Sequence, residues 1–260
     1  MNVNEIKSQF PIFSRKINGK ELVYLDSSNS SQKPISVLKS LDHFYKNEFS
    51  NIGRSIHSLA VNATNKYEET RMSVKNFINA KFKEEIIFTK NATEAINLVA
   101  TTFGQQNIKE GDEIIITELE HHSNYVPWHF LRENKKAIIK FAPINNDGDI
   151  IIEELQKLIT PKTKIIAVTH LSNVTGTIVP IKEIVEIARK KNIPVLVDGC
   201  QSAPHIKVDV SDLDCDFYAF SGHKVYGPTG VGILYAKRKW LEKLPPYIGG
   251  GAMISEVKKK

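Results

Sequence analysis

Short apolar runs rich in Val and Ile alternate along this chain with longer segments in which apolar residues recur at helical spacing. A parallel strand needs a crossover to reach the next parallel strand, and that crossover is usually a helix. The alternation therefore predicts an α/β fold, in which a mostly parallel sheet carries helices on both faces.

The pattern places seven strands at the apolar runs and five helices between or before them. The predicted strands cover residues 85–89, 113–117, 136–142, 164–169, 194–198, 217–221 and 231–236. The predicted helices cover residues 62–80, 93–102, 126–134, 152–159 and 181–191. In the first of these helices we expect Lys66, Glu69 and Arg71 to face water.

The composition argues against several classes of protein. Lys and Arg number 35 against 29 Asp and Glu, a net charge of +6, but no basic and aromatic module for nucleic acid accompanies the excess. No apolar stretch approaches the roughly 18 residues of a membrane span, and no leader pattern opens the chain. The two cysteines are too few for a disulfide framework. We therefore expect a cytoplasmic protein with neither a nucleic-acid partner nor a membrane segment.

Polar residues follow the ends of most of the predicted strands. In open α/β sheets, ligands bind beyond the carboxyl ends of the strands, so we expect these residues to converge on one edge of the sheet. They are Thr93, Glu94, His121, His122, His170, Asn173, Asp198, Gln201, Ser221, His223 and Lys224. The sequence therefore predicts a functional site at this edge.

Asp198 ends the apolar run Pro194-Val-Leu-Val-Asp198, where a buried carboxylate needs a partner. One interpretation is a helix N-cap or a structural salt bridge. The other is a partner for a cationic ring nitrogen or a metal ion. A metal is disfavoured because no second acidic residue stands at ligand spacing nearby.

Lys224 lies in the turn Ser221-Gly-His-Lys224, directly after an apolar strand. A single loop lysine is usually a solvated surface residue. In a partly dry site, however, burial lowers the pKa of a lysine and frees its amine for imine formation. Ser221, His223 and Thr93, which opens a predicted helix, supply donors suited to a phosphate.

Two other kinds of site are less well supported. A Ser/His/Asp hydrolase is disfavoured because no G-x-S-x-G elbow occurs and Ser221 and His223 stand two residues apart on one turn. A zinc site has no spacing signature. Its candidate ligands are His121, His122, His170, His205 and His223.

Many short strings occur in an order typical of one enzyme family. They are Tyr24-Leu-Asp26, Gln32-Lys-Pro34, Asn51 with Arg54 and His57, Thr93-Glu-Ala-Ile-Asn97, Glu120-His-His-Ser-Asn124, Val126-Pro-Trp128, Ser172-Asn-Val174, Val197-Asp-Gly199, Gln201-Ser-Ala-Pro-His205, Ser221-Gly-His-Lys224, Gly249-Gly-Gly251 and Met253-Ile254. With these strings the chain resembles the cysteine desulfurases of the sulfur-mobilisation (SufS) type, fold type I enzymes of the class V aminotransferase group that depend on pyridoxal 5'-phosphate (PLP).

The resemblance runs from about Phe10 to Ile254 and implies the fold type I large domain, with a seven-stranded sheet whose last strand is antiparallel. It also assigns roles to residues. Lys224 bonds to PLP and later moves the substrate α-proton, and Asp198 keeps the pyridine nitrogen protonated. His121 stacks on the ring and shuttles protons.

The remaining cofactor contacts follow from the same resemblance. Gln201 and Asn173 are expected near the ring hydroxyl and the substrate. The phosphate is expected on Thr93, Ser221 and His223.

The function implied by the resemblance is conversion of L-cysteine to L-alanine, with the sulfur passed on as a persulfide to an acceptor protein for iron–sulfur cluster assembly. Family members are homodimers with active sites at the subunit interface. A selenocysteine lyase or another class V enzyme is an alternative. A second alternative is a non-catalytic remnant or split-gene subunit that binds PLP.

The resemblance implies that residues 1–19 form an N-terminal segment and residues 20–260 a PLP-binding large domain. The family's small C-terminal domain, which carries the nucleophilic cysteine and a substrate-binding arginine, is expected to be missing here or supplied as a separate polypeptide. The chain alone is therefore expected to be inactive or incomplete. Cys200 and Cys215 are interpreted as small buried hydrophobic residues, with a relocated nucleophile at Cys200 as the alternative.

Two departures from the family pattern concern turns. Ser55 and Asn91 stand where glycine is common in the family, and we expect strained backbone at both positions.

Overall fold

The computed structural model describes residues 2–251 and residue 253. Ile254 and Lys258 to Lys260, which end the predicted large domain, lie outside the described residues. The α-helices are α1 (Val3–Ser8), α2 (Ile35–Asn47), α3 (Ser58–Phe77), α4 (Ala92–Asn107), α5 (Val126–Lys135), α6 (Ile152–Leu158), α7 (Ile181–Arg189), α8 (Ser202–His205), α9 (Val210–Leu213) and α10 (Arg238–Leu241). The strands are β1 (Lys16–Ile17), β2 (Lys20–Glu21), β3 (Ile86–Thr89), β4 (Glu113–Thr117), β5 (Ile138–Ala142), β6 (Thr163–Thr169), β7 (Val195–Asp198), β8 (Phe217–Ser221) and β9 (Gly232–Ala236).

Strands β3 to β9 form one sheet in the order β3-β9-β8-β7-β6-β4-β5, and β1 and β2 form a separate hairpin. Neighbours from β8 to β5 run parallel, whereas β9 pairs antiparallel with both β3 and β8. All seven predicted strands are confirmed, as is the antiparallel direction of the last one. Among the described residues, no helix is both long and apolar enough to cross a bilayer.

The central strands are apolar throughout because both of their faces are covered. On β4, Ile115 packs into one core cluster while Ile114 and Ile116 pack into the other, as the alternation of side chains along a strand requires. Helix α7 covers the first cluster with its buried face, and helices α4 and α5 cover the second. The prediction of helices on both faces is confirmed.

Helix α3 differs from its prediction at both ends. It begins at Ser58, four residues before the predicted start at 62, because the His57 side chain accepts a hydrogen bond from the Ala60 N–H at 3.3 Å. It ends at Phe77 rather than at residue 80, and Asn79 adopts a left-handed conformation with φ 51°.

The expectation that Arg71 faces water is wrong. Its side chain is only 18% exposed and donates a hydrogen bond to the carbonyl of Ile86. The guanidinium also lies over the rings of Tyr67 and Phe88 at 5.1 and 4.9 Å. The apolar stem and delocalised charge of arginine allow this packing, which a polar-face assignment does not anticipate. Lys66 and Glu69 are exposed, as predicted.

Candidate functional site

The carboxyl ends of β4, β6, β7 and β8 and the first turn of α4 surround one cavity with a volume of about 210 Å³. The strand order reverses between β6 and β4, the position at which open α/β sheets bind ligands. Of the eleven residues predicted to converge at this edge, Glu94, His122 and His170 do not line the cavity, and the other eight do. They are Thr93, His121, Asn173, Asp198, Gln201, Ser221, His223 and Lys224.

Asp198 ends β7 and is only 4% exposed. Its Oδ1 accepts a hydrogen bond from the backbone N–H of Cys200 at 3.0 Å. In the described part of the chain it neither caps a helix nor forms a salt bridge, which leaves both structural interpretations without support. A buried carboxylate without a cation is costly, so this position suits a ligand that brings a positive charge.

Lys224 ends the 3₁₀ turn Gly222–Lys224, which follows β8. Its side chain is half-buried and lines the cavity together with Asp198. Across the described residues, no carboxylate forms a salt bridge with Lys224. The cavity therefore contains a lysine amine and a buried acid that are not paired with each other.

The first turn of α4 is held against the end of β8. The buried Ser221 hydroxyl accepts a hydrogen bond from the Ala92 N–H at 2.9 Å, and the Asn91 side chain caps the helix by accepting from the Glu94 N–H at 2.8 Å. Gly232 permits this approach because a side chain there would overlap the Asn91 backbone. The N-terminus of α4, with Thr93, therefore faces the cavity. Helix N-termini bind anions favourably, so this end of the cavity suits a negatively charged group.

The predicted backbone strain at Asn91 and Ser55 is not found. Asn91 has φ −173°, an extended conformation that any residue adopts, and Ser55 is not among the residues with positive φ. Asparagine is instead a favourable N-cap, which explains why glycine is not needed at position 91.

His121 follows β4, and its ring is held by Ser123. The Ser123 N–H donates to Nδ1 of His121 at 3.1 Å, so this nitrogen must be an acceptor and the neutral ring carries its proton on Nε2. Burial lowers the pKa of His121, which favours the neutral ring; Asp198 opposes this shift and Lys224 adds to it. The geometry leaves a neutral imidazole with its Nε2 proton available.

Glu120 supports the loop that carries His121. Its carboxylate accepts hydrogen bonds from the Thr117 hydroxyl at 2.6 Å, the Asn124 amide at 2.6 Å and the Thr169 N–H at 2.9 Å. These contacts tie the ends of β4 and β6 to the turn that follows His121. Burial raises the pKa of Glu120 to about 8, although the three hydrogen bonds oppose the rise.

The other predicted residues differ in how firmly they are fixed. Gln201 is buried, and its amide donates to the Ser28 carbonyl at 2.5 Å. His223 has Nδ1 at 3.2 Å from the Ser30 hydroxyl, and burial, followed by the nearby charges of Lys224 and Lys33, lowers its pKa. Asn173 is exposed at the rim of the cavity.

Several further residues line the cavity that the sequence analysis did not select as site residues. They are Asn29, Asn91, Ala92, Ser123, Thr169, Leu171 and Cys200. A signal existed for three of them, because Thr169 ends a predicted strand, Ser123 lies inside a string shared with the family, and Cys200 is the alternative nucleophile. Asn29 closely follows the shared string Tyr24-Leu-Asp26 and reaches the cavity from a loop distant in sequence.

The two cysteines occupy different environments. Cys215 is fully buried in the core, as interpreted from the sequence, and burial raises the pKa of its thiol to about 12. Cys200 is only half-buried and lines the cavity. Burial of its thiol and the charge of Asp198 raise the pKa of Cys200 well above its usual value, with Lys224 opposing. Within the described residues, no group of three or more side chains is arranged to hold a metal ion.

The chain belongs to the class-V aminotransferase family. The family's sequence model, described as aminotransferase class-V, matches residues 23–260. Members of this family are pyridoxal phosphate enzymes.

Relatives and solved structures narrow the comparison to the cysteine desulfurases. A probable cysteine desulfurase of Halalkalibacterium halodurans is 52% identical over 99% of this chain, and a cysteine desulfurase of Synechococcus elongatus is 46% identical over 98%. The structures of cysteine desulfurases from Thermococcus onnurineus and of CsdA from Escherichia coli cover 99% of the chain with TM-scores of 0.92 and 0.88, at 36% and 38% identity. The chain spans 63% of the first relative and of both structures, and 41% of the second relative.

Proposed function

We propose that this chain binds PLP in the cavity at the end of the sheet. The proposal rests on one cavity that holds both a half-buried lysine, Lys224, and a buried carboxylate, Asp198, for which the described residues provide no salt-bridge partner. The chemistry of these groups fits PLP. The Lys224 amine can bond to the aldehyde, the Asp198 carboxylate can accept a hydrogen bond from the protonated ring nitrogen, and the N-terminus of α4 can bind the phosphate. Ser221, His223 and Thr93 would hold the phosphate.

When bound, PLP supplies an electron sink for bonds at the substrate α-carbon. The chain's own residues would perform the proton transfers. Asp198 would hold the proton at the ring nitrogen through a charge-assisted hydrogen bond. Lys224 would move the proton at the α-carbon, and His121 would offer its Nε2 proton from beside the ring. Gln201 and Asn173 would face the ring hydroxyl and the substrate.

We further propose that the reaction is cysteine desulfuration of the SufS type, in which L-cysteine becomes L-alanine and the sulfur is passed to an acceptor protein for iron–sulfur cluster assembly. The relatives' names support this substrate, since they are called cysteine desulfurases at 46–52% identity. A cytoplasmic location accords with two free thiols in a chain of 260 residues.

The 260-residue polypeptide is proposed to lack rapid turnover by itself. Its two cysteines both have raised pKa values, so neither offers the thiolate that must attack the substrate sulfur. We propose that residues 20–260 act as the PLP-binding large domain, with residues 1–19 as a separate segment. The sulfur-accepting thiolate and the cation for the substrate carboxylate would come from a small C-terminal domain, which a separate polypeptide could supply.

A second copy of the chain is the proposed partner at the cavity mouth. Val126 and Phe130 are 41% and 52% exposed and form an apolar surface on α5. The hollow over this surface is also lined by Thr93 and Ser123, which line the cavity as well. Exposed apolar patches beside a site are typical of subunit interfaces.

The proposed reaction is tested by measuring alanine and sulfide after adding L-cysteine, PLP and a reductant to the purified chain. The chain alone should form little alanine, and addition of a small C-terminal domain as a second polypeptide should raise the rate strongly. The Cys200→Ser variant serves as the internal comparison. Rapid alanine formation by the lone chain that is lost in Cys200→Ser would contradict the proposal and make Cys200 the nucleophile. A preference for L-selenocysteine would identify a selenocysteine lyase instead.

A further inference from the structure

We propose that Ser31 and Lys33 are positioning residues. By donating hydrogen bonds to the backbone carbonyl of His223, they would hold in place the turn that carries Lys224. The inference deepens the proposed function, because the turn it concerns is the one proposed to bond to PLP. Neither Ser31 nor Lys33 lines the cavity.

Three donors from this short segment converge on one carbonyl oxygen. The His223 oxygen accepts hydrogen bonds from the Ser31 N–H at 3.0 Å, the Ser31 hydroxyl at 2.9 Å and the Lys33 ammonium at 2.8 Å. Ser31 is only 5% exposed, so water competes little for these contacts. The two residues stand about 190 positions before His223, so folding alone brings them together.

The carbonyl needs these donors because its own turn supplies none. The N–H groups of Val225 and Gly227 both donate to the Gly222 oxygen, at 3.1 and 2.9 Å, and so bypass the His223 oxygen. A carbonyl at the end of a helical turn has no partner inside the turn and must find one elsewhere. Ser31 and Lys33 provide that partner.

The same segment also holds the residues on either side of Lys224. The Tyr226 N–H donates to the Ser31 hydroxyl at 3.0 Å, and Tyr226 has a left-handed backbone with φ 65°. A bulky residue keeps that conformation only when its surroundings enforce it. Lys224 lies between the His223 carbonyl and Tyr226, so contacts on both sides restrict the position of the Lys224 backbone.

Lys33 adds a charge as well as a hydrogen bond. Burial lowers the pKa of Lys33, which indicates that its ammonium is partly withdrawn from water. The Lys33 charge also contributes, after burial and Lys224, to the lowered pKa of His223. Removing the charge while keeping the volume should therefore loosen the turn and ease protonation of His223.

The test compares Lys33→Met and Ser31→Ala with Lys39→Met, an exposed lysine on α2, in the chain without PLP. Hydrogen exchange is measured at the amides of Val225 and Gly227. Loss of a charged hydrogen bond predicts exchange about tenfold faster at these two amides in Lys33→Met, with amides of the central strands unchanged. Lys33→Arg should restore the protection, and the pKa of His223, followed by NMR, should rise in Lys33→Met only.

Unchanged exchange at both amides in Lys33→Met would overturn the proposal, and so would uniformly faster exchange across the sheet. If Ser31→Ala destabilises the whole chain, Lys33→Met decides the question alone, because it leaves the buried hydroxyl in place. These readouts need no cofactor, so they stand even if PLP fails to bind. With PLP, a slower covalent labelling of Lys224 in Lys33→Met than in Lys39→Met would support the inference, and equal labelling rates would count against it.

Discussion

Asp198 and Glu120 are two acids on neighbouring parts of the same sheet edge, and their surroundings assign them different tasks. Asp198 lines the cavity and accepts one backbone hydrogen bond, which leaves most of its capacity open to a ligand. Glu120 accepts three hydrogen bonds from the protein and does not line the cavity. Asp198 is therefore available to bind a ligand in the cavity, whereas Glu120 holds the loop that carries His121.

The role of Asp198 predicts a selective loss of cofactor affinity. Asp198→Asn removes the charge that would pair with the ring nitrogen, a charge-assisted hydrogen bond of roughly 1.5–3 kcal/mol, so PLP should bind about 10- to 100-fold more weakly. The control is Asp209→Asn, which removes a carboxylate that caps α9 through the Asp212 N–H at 2.9 Å. Absorbance titration with PLP measures both variants, and equal affinities would remove Asp198 from the site.

The raised pKa of Glu120 predicts that the stability of the folded chain depends on pH. The pKa of this residue rises from 4.5 in the unfolded chain to about 8 in the folded one. The folded state therefore keeps a proton that the unfolded state loses. The contribution of Glu120 to the free energy of unfolding should be greatest below about pH 4.5 and should fall as the pH rises towards 8. A fall of at least about 1.4 kcal/mol is expected, the value of one pKa unit.

Urea unfolding between pH 5 and pH 8 measures this dependence. Glu120→Gln cannot ionise, so its stability should fall less over this range than that of the unmodified chain. The exposed Glu110→Gln variant is the control and should follow the unmodified chain. Parallel pH profiles for Glu120→Gln and the unmodified chain would show that Glu120 is already ionised at neutral pH.

At the level of elements, close contacts at the strand ends set the shape of the site. Gly199 follows β7 and lies against the ring of Tyr218 on β8. The Tyr218 hydroxyl in turn contacts the Ser202 hydroxyl at 2.5 Å and Nδ1 of His170 at 3.2 Å. This buried network joins residues that follow β6 and β7 to Tyr218 on β8.

Gly199→Ala should therefore disturb the junction of β7 and β8. A methyl group at this position would overlap the Tyr218 ring, and forcing extra volume into a packed core costs about 1–3 kcal/mol. Gly249→Ala, where an added methyl group meets nothing within 4 Å, should change stability by less than about 0.5 kcal/mol. Denaturant unfolding compares the two, and equal stabilities would show that the junction adapts without cost.

The elements also show what the sequence could and could not predict. The strands were predictable because burial on both faces leaves uninterrupted apolar runs such as Ile114 to Ile116. Helix α2 was missed although Ile35, Leu38 and Leu41 recur at helical spacing, and none of its residues is buried in the core. The cavity residues that follow strands were found by position, whereas the contacts of Ser31 and Lys33 depend on a fold that joins distant segments.

At the scale of the whole molecule, the exposed apolar surface of Val126 and Phe130 predicts self-association. Light scattering with size-exclusion chromatography should show a dimer, and Phe130→Glu should shift it to a monomer by placing a charge in the interface. Ile17→Glu, on the hairpin of β1 and β2, is the control because Ile17 is similarly exposed, at 45%. A monomeric unmodified chain, or a dimer that persists in Phe130→Glu, would count against this interface.

Lys224 and Asp198 are proposed to form a PLP site, and covalent trapping of PLP on Lys224 tests this proposal. The purified chain is mixed with PLP, reduced with borohydride and digested, and the modified peptide is identified by mass spectrometry. We expect one dominant label, on Lys224, with strongly reduced labelling in Lys224→Ala. A label spread over the surface lysines, or no label on a folded chain, would contradict it.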